Sequence, residues 1–535
     1  MSLRIICICV AAAAWALPAS AAEPPAPPSQ FVTAAQCIAC HTNLTGPSGE
    51  DVSIGFDWRA TMMANSARDP YWHAAVRREV IDHPAAQAAI EDKCSTCHMP
   101  MARSDAAVAG GRGEVFASLV STAPQHALAA DGVSCTVCHQ IAAEGLGEHT
   151  SFDGGFKIEP RRDSPVVFGP HEVDAGRQSV MRSAASFTPK VGTHLQQSEV
   201  CATCHTLYTS ALDETGQAIG TLPEQVPYQE WLHSDYRNTA SCQSCHMPEV
   251  ATDTAITSVL GQPRPRLSQH TFLGGNAFML SILNRYRGEL GVTALPQELD
   301  AAVNETKRFL GSRSAGLTIV SARRAGSRVD LEVAIESTAG HKLPTAYPSR
   351  RAWLHVVVTD AGGAVVFESG ALRPDGAIVG NDNDADPTRF EPHFDEITSA
   401  DDVQIYETIM VDRADAVTTG LLRGVRYVKD NRLLPRGFDK QTAEADVAVH
   451  GGAATDTDFA AGGDRVRYRV DLGAASRGPL RVAVELLYQS IGYRWAENLR
   501  GYDSSETRRF VRYYSDNAAA SASRLAAAAN EIAGL

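Results

Sequence analysis

The sequence predicts a multidomain protein in which a mainly α-helical, loop-rich domain is followed by a β-sandwich domain of immunoglobulin-like type and a C-terminal helix. Three observations predict this order. Strand patterns are scarce before about residue 280, whereas apolar and polar residues begin to alternate near residue 315. The tail over residues 517–532 is rich in alanine, which is typical of a helix. With 535 residues, 44% of them hydrophobic, the chain is long enough for two or three packed cores.

The N-terminus predicts export. Arg4 is followed by an apolar run over residues 5–17 and by the small residues 19–22, which is the pattern of a secretory signal cleaved after Ala21 or Ala22. We therefore expect a signal peptide over residues 1–22 and a proline-rich leader over residues 23–36. The run is shorter than a membrane span, and no later stretch is long enough, so we expect no transmembrane segment in the mature chain. The expected location is the periplasm, with attachment to the cell surface left open.

The charge of the chain excludes one class of partner. The formal net charge is −14 and the isoelectric point is near 5.7. Binding to a phosphate backbone needs a basic face, so we expect no nucleic acid partner.

The cysteines predict the cofactor. Of the 12 cysteines, two lie in the predicted signal peptide, and the remaining ten form five copies of C-x-x-C-H. The pairs are Cys37 and Cys40, Cys94 and Cys97, Cys135 and Cys138, Cys201 and Cys204, and Cys242 and Cys245; the histidines that follow them are His41, His98, His139, His205 and His246. This is the attachment pattern of c-type haem, in which two thiols bind the porphyrin and the adjacent imidazole ligates the iron. A disulfide framework or zinc sites would not explain a histidine after every pair. The sequence thus predicts five covalently attached c-type haems.

The motifs define a predicted pentahaem cytochrome domain over residues 37–280. Little polypeptide is available per haem, so the porphyrins must supply much of its core. Helices are expected over residues 69–82 and 85–93. A helical junction over residues 281–314 follows, with helices over residues 278–290 and 296–310.

The predicted β-sandwich domain covers residues 315–495. Residues 329–337, 465–472 and 480–489 alternate or run as strands do, and residues 403–411 read as a further strand. Residues 353–359 and 364–368 flank Asp-Ala-Gly-Gly and predict a hairpin. A C-terminal helical tail is expected over residues 496–535.

Each haem iron has a second axial position, usually filled by histidine or methionine. The chain has 17 histidines, so 12 remain beyond the five motif histidines. The candidates for distal ligands are His270, His126, His194, His171, His341 and Met63. Residues His73, His149 and His233 are weaker candidates, and His83, His355, His393 and His450 are taken as structural or surface residues.

A second metal site is open to two interpretations. Carboxylate and amide oxygens cluster at Asn381, Asp382, Asn383, Asp384 and Asp386. Such oxygens can hold Ca²⁺, but the spacing is not that of an EF-hand, and a solvated acidic loop explains the cluster equally well.

Several segments around the motifs resemble the cytochrome c-552/c-554-type multihaem family, which includes the tetrahaem carrier of nitrifiers and hydroxylamine-oxidoreductase-like proteins. The resemblance covers about residues 35–280 and rests on residues 56–64, 131–139, 198–205 and 241–248. It implies periplasmic electron transfer through closely stacked haems with mostly two histidine ligands each. This chain has Met63 where the family has a distal histidine, which implies His/Met ligation or an open iron. Residues 340–351 and 428–435 look like segments appended to uncharacterised multihaem cytochromes.

Three functions remain open at this stage. The first is an electron carrier that passes single electrons between a redox-protein donor and acceptor. The second is an oxidoreductase in which one open haem, near Met63, acts on a small nitrogen or sulfur compound. The third is a redox conduit that binds a surface or a partner through its β-domain. We expect a carrier rather than an enzyme, and the sequence does not predict the oligomeric state.

Overall fold

The computed structural model describes residues 29–159, 164–472 and 478–534. The predicted signal peptide over residues 1–22 and the first part of the predicted leader lie outside the described residues.

The helices range from one turn to the 18 residues of the longest. They are α1 Ala34–Ile38, α2 Ile54–Arg59, α3 Pro70–Asp82, α4 Gln87–His98, α5 Pro100–Val108, α6 Val115–Ser118, α7 His126–Ala130, α8 Cys135–Cys138, α9 Ala175–Ala185, α10 Ser198–Ala202, α11 Pro227–Leu232, α12 Cys242–His246, α13 Ala277–Arg285, α14 Arg287–Leu290, α15 Pro296–Arg313, α16 Asp382–Ala385, α17 Tyr493–Glu497 and α18 Ser505–Asn517.

The strands lie in both halves of the chain. They are β1 Val166–Gly169, β2 Thr188–Val191, β3 Leu207–Leu212, β4 Ala218–Gln225, β5 Thr254–Ala255, β6 Pro263–Arg264, β7 Ala315–Ala325, β8 Arg328–Ser337, β9 Arg351–Asp360, β10 Val365–Ser369, β11 Glu396–Ile397, β12 Ile405–Tyr406, β13 Thr408–Val411, β14 Val417–Thr418, β15 Arg426–Asp430, β16 Gly463–Asp471, β17 Leu480–Gln489 and β18 Ala522–Ile532.

Helix α3 shows why a predicted helix forms where it does. The Asp69 carboxylate accepts hydrogen bonds from the backbone N–H groups of Tyr71 and Trp72, at 2.8 and 3.3 Å, and so caps the first turn. Pro70 occupies the first helical position, where no intrahelical N–H bond is lost. The predicted helix over residues 69–82 is confirmed, and so are the helices predicted on either side of residue 290.

Two larger sheets occupy the C-terminal half. One has the order β10-β9-β17-β18, with β12 also paired to β9, and the other has the order β11-β16-β8-β7. The predicted hairpin is confirmed as β9 and β10, which pair antiparallel. The strands predicted over residues 329–337, 465–472 and 480–489 are confirmed as β8, β16 and β17.

The apolar faces of these sheets bury residues in one hydrophobic cluster. It includes Val333 of β8, Val356 of β9, Val466 of β16 and Val484 of β17, each with 0% of its surface exposed. Burial of a valine side chain stabilises the fold by roughly 1.5–3 kcal/mol, so this cluster is the main core of the C-terminal half.

The predicted fold class is wrong. The chain is mixed, with 34% helix and 24% strand, and no clear immunoglobulin-like sandwich is present in the described residues. Strands β1 to β6 form three small two-stranded sheets, two between C-x-x-C-H motifs and one after the fifth, where the sequence predicted helices and loops. In the C-terminal half a third sheet, β14-β13-β15, stands apart, and β11 joins β16 in parallel rather than antiparallel. Short strand pairs leave a weak period-2 signal, which explains why the sequence pattern missed them.

The predicted C-terminal helix over residues 517–532 is also wrong. Most of this segment is strand β18, which pairs antiparallel with β17 over its whole length. Its buried residues Leu525 and Ile532 join the core, so tertiary pairing overrides the helix propensity of alanine. The helix of the tail is instead α18, which begins at the Ser504 cap.

The strand predicted over residues 403–411 is divided in two. Strand β12 pairs with β9, whereas β13 pairs with β14 and β15 in a different sheet. The chain therefore changes sheet at Glu407, which separates the two strands.

Helix α18 returns to the N-terminal part of the chain and packs against α3. The rings of Phe510 and Tyr71 lie with centroids 5.1 Å apart, and both residues are buried. At the edge of this contact Arg77 and Glu506 form an ion pair at 3.0 Å. The two halves of the chain are thus joined by a packed interface.

Within the three described stretches, every helix is too short or too polar to cross a membrane.

Candidate functional site

The five C-x-x-C-H motifs meet at one cavity. All ten motif cysteines and all five motif histidines line this motif cavity, whose volume is about 1640 Å³. Motifs that are about 200 residues apart in the sequence thus bring their thiols and imidazoles to one interior space.

Local helical structure explains how each motif presents its three side chains. The motif cysteines lie in or at the end of α1, α4, α8, α10 and α12. In a helical turn, residues three and four positions apart lie on the same face. Helical bonds from the histidine N–H to the first cysteine C=O, such as the 3.0 Å bond from His139 to Cys135, fix this arrangement. Both thiols and the imidazole therefore point to the same side.

The ten cysteines of the described chain form no disulfide bond with one another. Thiols of different motifs are close neighbours: Cys37 lies beside Cys135, Cys97 beside Cys204, and Cys201 beside Cys242. The thiol of Cys138 lies within electrostatic range of Cys201 and Cys204. The first motif thus adjoins the third, the third adjoins the fourth, and the fourth adjoins both the second and the fifth.

Burial favours the neutral form of the motif histidines. Burial lowers the pKa of all five, and that of His98 and His205 to about 4. Nδ1 bonds to a backbone carbonyl in four of them: His41 to Ile256 at 2.6 Å, His98 to Ser66 at 3.1 Å, His139 to Phe168 at 2.6 Å, and His246 to Leu273. Such a bond places the proton on Nδ1 and leaves the Nε2 lone pair free for a metal.

Two further histidines face motif histidines across the cavity. The ring centroids of His139 and His270 are 6.4 Å apart, with planes 12° from parallel. Those of His246 and His341 are 6.2 Å apart, at 13°. Two imidazoles on opposite sides of one metal ion, each bound at about 2 Å, place their ring centres about 6 Å apart.

The distal rings are oriented in the same way as the motif rings. Nδ1 of His270 bonds to the Ser268 carbonyl at 3.0 Å, and Nδ1 of His341 bonds to the Lys342 carbonyl at 2.9 Å. Burial lowers the pKa of both histidines, to about 4 for His270. The donor set therefore fits iron held between two neutral imidazoles at each of these two places.

The other predicted ligands divide into two groups. His171 and Met63 line the motif cavity, whereas His126 and His194 do not. Nε2 of His194 bonds to the Ile141 carbonyl at 2.8 Å, and that bond occupies the nitrogen a metal would use. Nδ1 of His126 contacts the Ser118 carbonyl at 3.2 Å, outside the cavity.

Sequence reasoning missed several polar residues of the cavity wall. The rings of Tyr71 and Tyr347 lie with centroids 5.8 Å apart, and burial raises the pKa of both. Burial also raises the pKa of Glu224 to about 7, although Thr209 donates a hydrogen bond to its carboxyl group. Arg350 lines the cavity as well. None of these residues stands in a motif, so no pattern in the sequence marks them.

The acidic segment at residues 381–386 does not gather around a common point. Asp384 forms two hydrogen bonds with the Arg351 guanidinium, at 2.8 and 2.9 Å, and both side chains are buried. Asp382 pairs with Arg389 at 2.6 Å, and Asp386 accepts hydrogen bonds from Thr388. Because the carboxylates already have separate partners, the geometry does not favour the predicted Ca²⁺ site.

No protein-family model and no curated protein matches the sequence. One solved structure is similar in fold: a penta-haem cytochrome c552 from Thermochromatium tepidum, with a TM-score of 0.54 and 14% sequence identity. The similarity covers 94% of this chain and 99% of that one. Because the two chains correspond from end to end, the C-terminal half belongs to the shared fold, and the chain as a whole is similar in architecture to that cytochrome.

Proposed function

We propose that the protein is an exported c-type cytochrome that carries five covalent haems and passes single electrons between a redox-protein donor and acceptor. One observation carries this proposal: all five C-x-x-C-H motifs line a single cavity. The fold shared with a penta-haem cytochrome supports the same cofactor count. Bound haem iron supplies the chemistry, since it gains and loses one electron without bond rearrangement.

The residues of the chain hold the haems in two ways. The ten thiols anchor the porphyrins, and the five motif histidines ligate the irons through Nε2. His270 is the distal ligand opposite His139, and His341 is the distal ligand opposite His246. The ring separations of 6.4 and 6.2 Å support both pairs.

The contacts between motifs support one order of electron transfer. The thiol contacts support a route from the first haem through the third and fourth to the fifth, with the second haem joined to the fourth. The rate of electron transfer falls steeply with the distance between haem edges. Neighbouring attachment sites would keep that distance short along the route.

A second function is favoured by the histidine count of the cavity wall. Among the described residues eight histidines line the cavity, five of them in motifs, which leaves His171, His270 and His341 as partners. Five irons would need five distal ligands, so two irons receive no histidine from this wall. Met63 either ligates one of these two irons, or that iron has an open coordination position. An open iron makes the protein an oxidoreductase for a small nitrogen or sulfur compound, with the other haems as its electron supply.

Low-temperature electron paramagnetic resonance (EPR) of the oxidised, exported protein tests both functions, with haem counted per polypeptide by pyridine haemochrome. Five haems with only low-spin ferric signals would support the carrier. A high-spin signal that shifts on addition of nitrite or cyanide would support the oxidoreductase. Fewer than five haems on the full-length exported chain would contradict the cofactor assignment. N-terminal sequencing of the same sample tests export, with residue 22 or 23 expected first.

A further inference from the structure

Four charged side chains are buried together where the two halves of the chain meet. Lys342, Asp430 and Arg432 come from the C-terminal half, and Glu230 lies on α11 between the fourth and fifth motifs. Their side chains are 0%, 4%, 9% and 0% exposed, respectively. The group contains two cations and two anions, so its formal charges cancel.

Each charge in this group has a close partner. The Lys342 ammonium lies 2.7 Å from Asp430, and the Arg432 guanidinium donates to both oxygens of the same carboxylate, at 2.8 and 2.9 Å. Nη1 of Arg432 lies 2.8 Å from the second carboxylate, that of Glu230. Burial alone would raise the pKa of Asp430, but Arg432 and Lys342 lower it overall, so the carboxylate stays ionised.

Glu230 connects this group to the segment that carries His341. Its Oε2 accepts the backbone N–H of Lys342 at 3.1 Å and also the hydroxyl of Thr345. The carbonyl of the same Lys342 bonds to Nδ1 of His341 at 2.9 Å and so sets the orientation of the imidazole. The Glu230 carboxylate, which lies between two motifs, therefore holds the backbone of Lys342. That backbone in turn orients the imidazole of His341, which belongs to the other half of the chain.

We propose that Glu230 is a positioning residue that holds His341 over the fifth haem, and this inference rests on the distal-ligand assignment in the proposed function. A buried carboxylate is suited to the task because it accepts from a backbone N–H and a hydroxyl while Arg432 balances its charge. The buried cations in turn need both anions, since an uncompensated charge in the interior is strongly unfavourable. The four-residue cluster thus links two events: the packing of the C-terminal half against α11, and the ligation of one iron by His341.

The test is EPR and spectroscopic redox titration of the haem-loaded full chain, in wild type and in Glu230→Ala, Glu230→Gln and His341→Ala. We expect Glu230→Ala to change the low-spin signal of one haem in five, or to convert that haem to high spin, and to shift its reduction potential. The double variant Glu230→Ala/His341→Ala should show no change beyond His341→Ala alone, because both act on the same iron. Glu230→Gln keeps the acceptor oxygen and should retain more of the wild-type signal.

The matched control is Asp384→Asn, which removes one charge from a buried pair of equal burial with no contact to His341. Its spectrum should equal that of wild type. If Glu230→Ala folds with unchanged signals and potentials, the positioning role is wrong. If Glu230→Ala does not accumulate, the same judgement rests on Glu230→Met, which fills a similar volume without an acceptor oxygen. If His341→Ala itself leaves all signals unchanged, the ligand assignment fails, which is a failure of the proposed function and distinct from that of Glu230.

Discussion

Replacing His270 with alanine tests the best-defined site of the cavity. The imidazole faces His139 at a centroid distance of 6.4 Å, and the Ser268 carbonyl fixes its tautomer. With the ligation proposed above, removing it would leave the third haem with one protein ligand, because alanine cannot reach the iron. We expect this haem to become high-spin while the others keep their ligands.

The size of the effect follows from the motif count. One iron of five changes, so a high-spin ferric signal should account for one fifth of the haem measured by pyridine haemochrome. The low-spin signals should fall by the same fraction. For His270→Met we expect a different result. The iron should stay low-spin, and its reduction potential should rise because a thioether replaces an imidazole as its ligand.

The assay is quantitative low-temperature EPR, with circular dichroism to show that the variant is folded. His194→Ala is the control, because His194 does not line the cavity and its Nε2 is bonded to the Ile141 carbonyl. Its spectrum should match wild type. A folded His270→Ala protein that retains five low-spin haems would refute the argument from ring geometry, as would a high-spin signal in the control.

Three other predictions concern stability and haem content. Leu354→Ala should lower the free energy of unfolding by about 2–5 kcal/mol, since Leu354 is 0% exposed in β9, and urea denaturation measures this. Burial raises the pKa of Asp464 to about 7, although Tyr406 donates a hydrogen bond to it. The folded state then keeps a proton on Asp464 that the unfolded state releases near pH 4. The free energy of unfolding therefore falls by up to about 4 kcal/mol as the pH rises from about 4 to 7. Urea midpoints of Asp464→Asn measured over this range should lack that fall. The double change Cys242→Ser/Cys245→Ser removes both thioether bonds of one motif, and mass spectrometry should show one haem fewer.

Each of these predictions has a contrary result. Val365→Ala, at a side chain 56% exposed, is the control for Leu354 and should change stability by less than about 0.5 kcal/mol. Parallel pH profiles for wild type and Asp464→Asn would contradict the assignment of a raised pKa. Five covalent haems on the Cys242→Ser/Cys245→Ser protein would contradict attachment at that motif.

The sequence marked the motif residues that line the cavity, but not most of the residues around them. The geometry of a C-x-x-C-H motif can be predicted from its sequence, because residues spaced by one helical turn place their three side chains on the same face. Distal ligands carry no such local signature. His270 and His341 could be named only as candidates, since each pairs with its motif histidine through folding of distant segments.

The fold errors have a related cause. Strand β17 was predictable because its buried residues alternate, whereas the alanines of β18 follow a helix-forming composition and become a strand only by pairing with β17. The cavity-wall residues Tyr347 and Glu224 likewise owe their place to tertiary contacts. A sequence pattern reflects the conformational preference of its own segment. These residues are positioned instead by contacts with segments that are distant in the sequence.

The packing of α18 on α3 has a consequence for the order of events during biosynthesis. Arg509 donates a hydrogen bond to His73 across a separation of 436 residues. A chain that crosses a membrane from its N-terminus must present α3 and the early motifs long before their packing partner emerges. Closing so long a loop is entropically costly and slow. In a chain exported as proposed, the early thiols would therefore stay accessible until translocation is nearly complete. Premature termination would then leave an exposed apolar surface, a target for proteolysis rather than a smaller working protein.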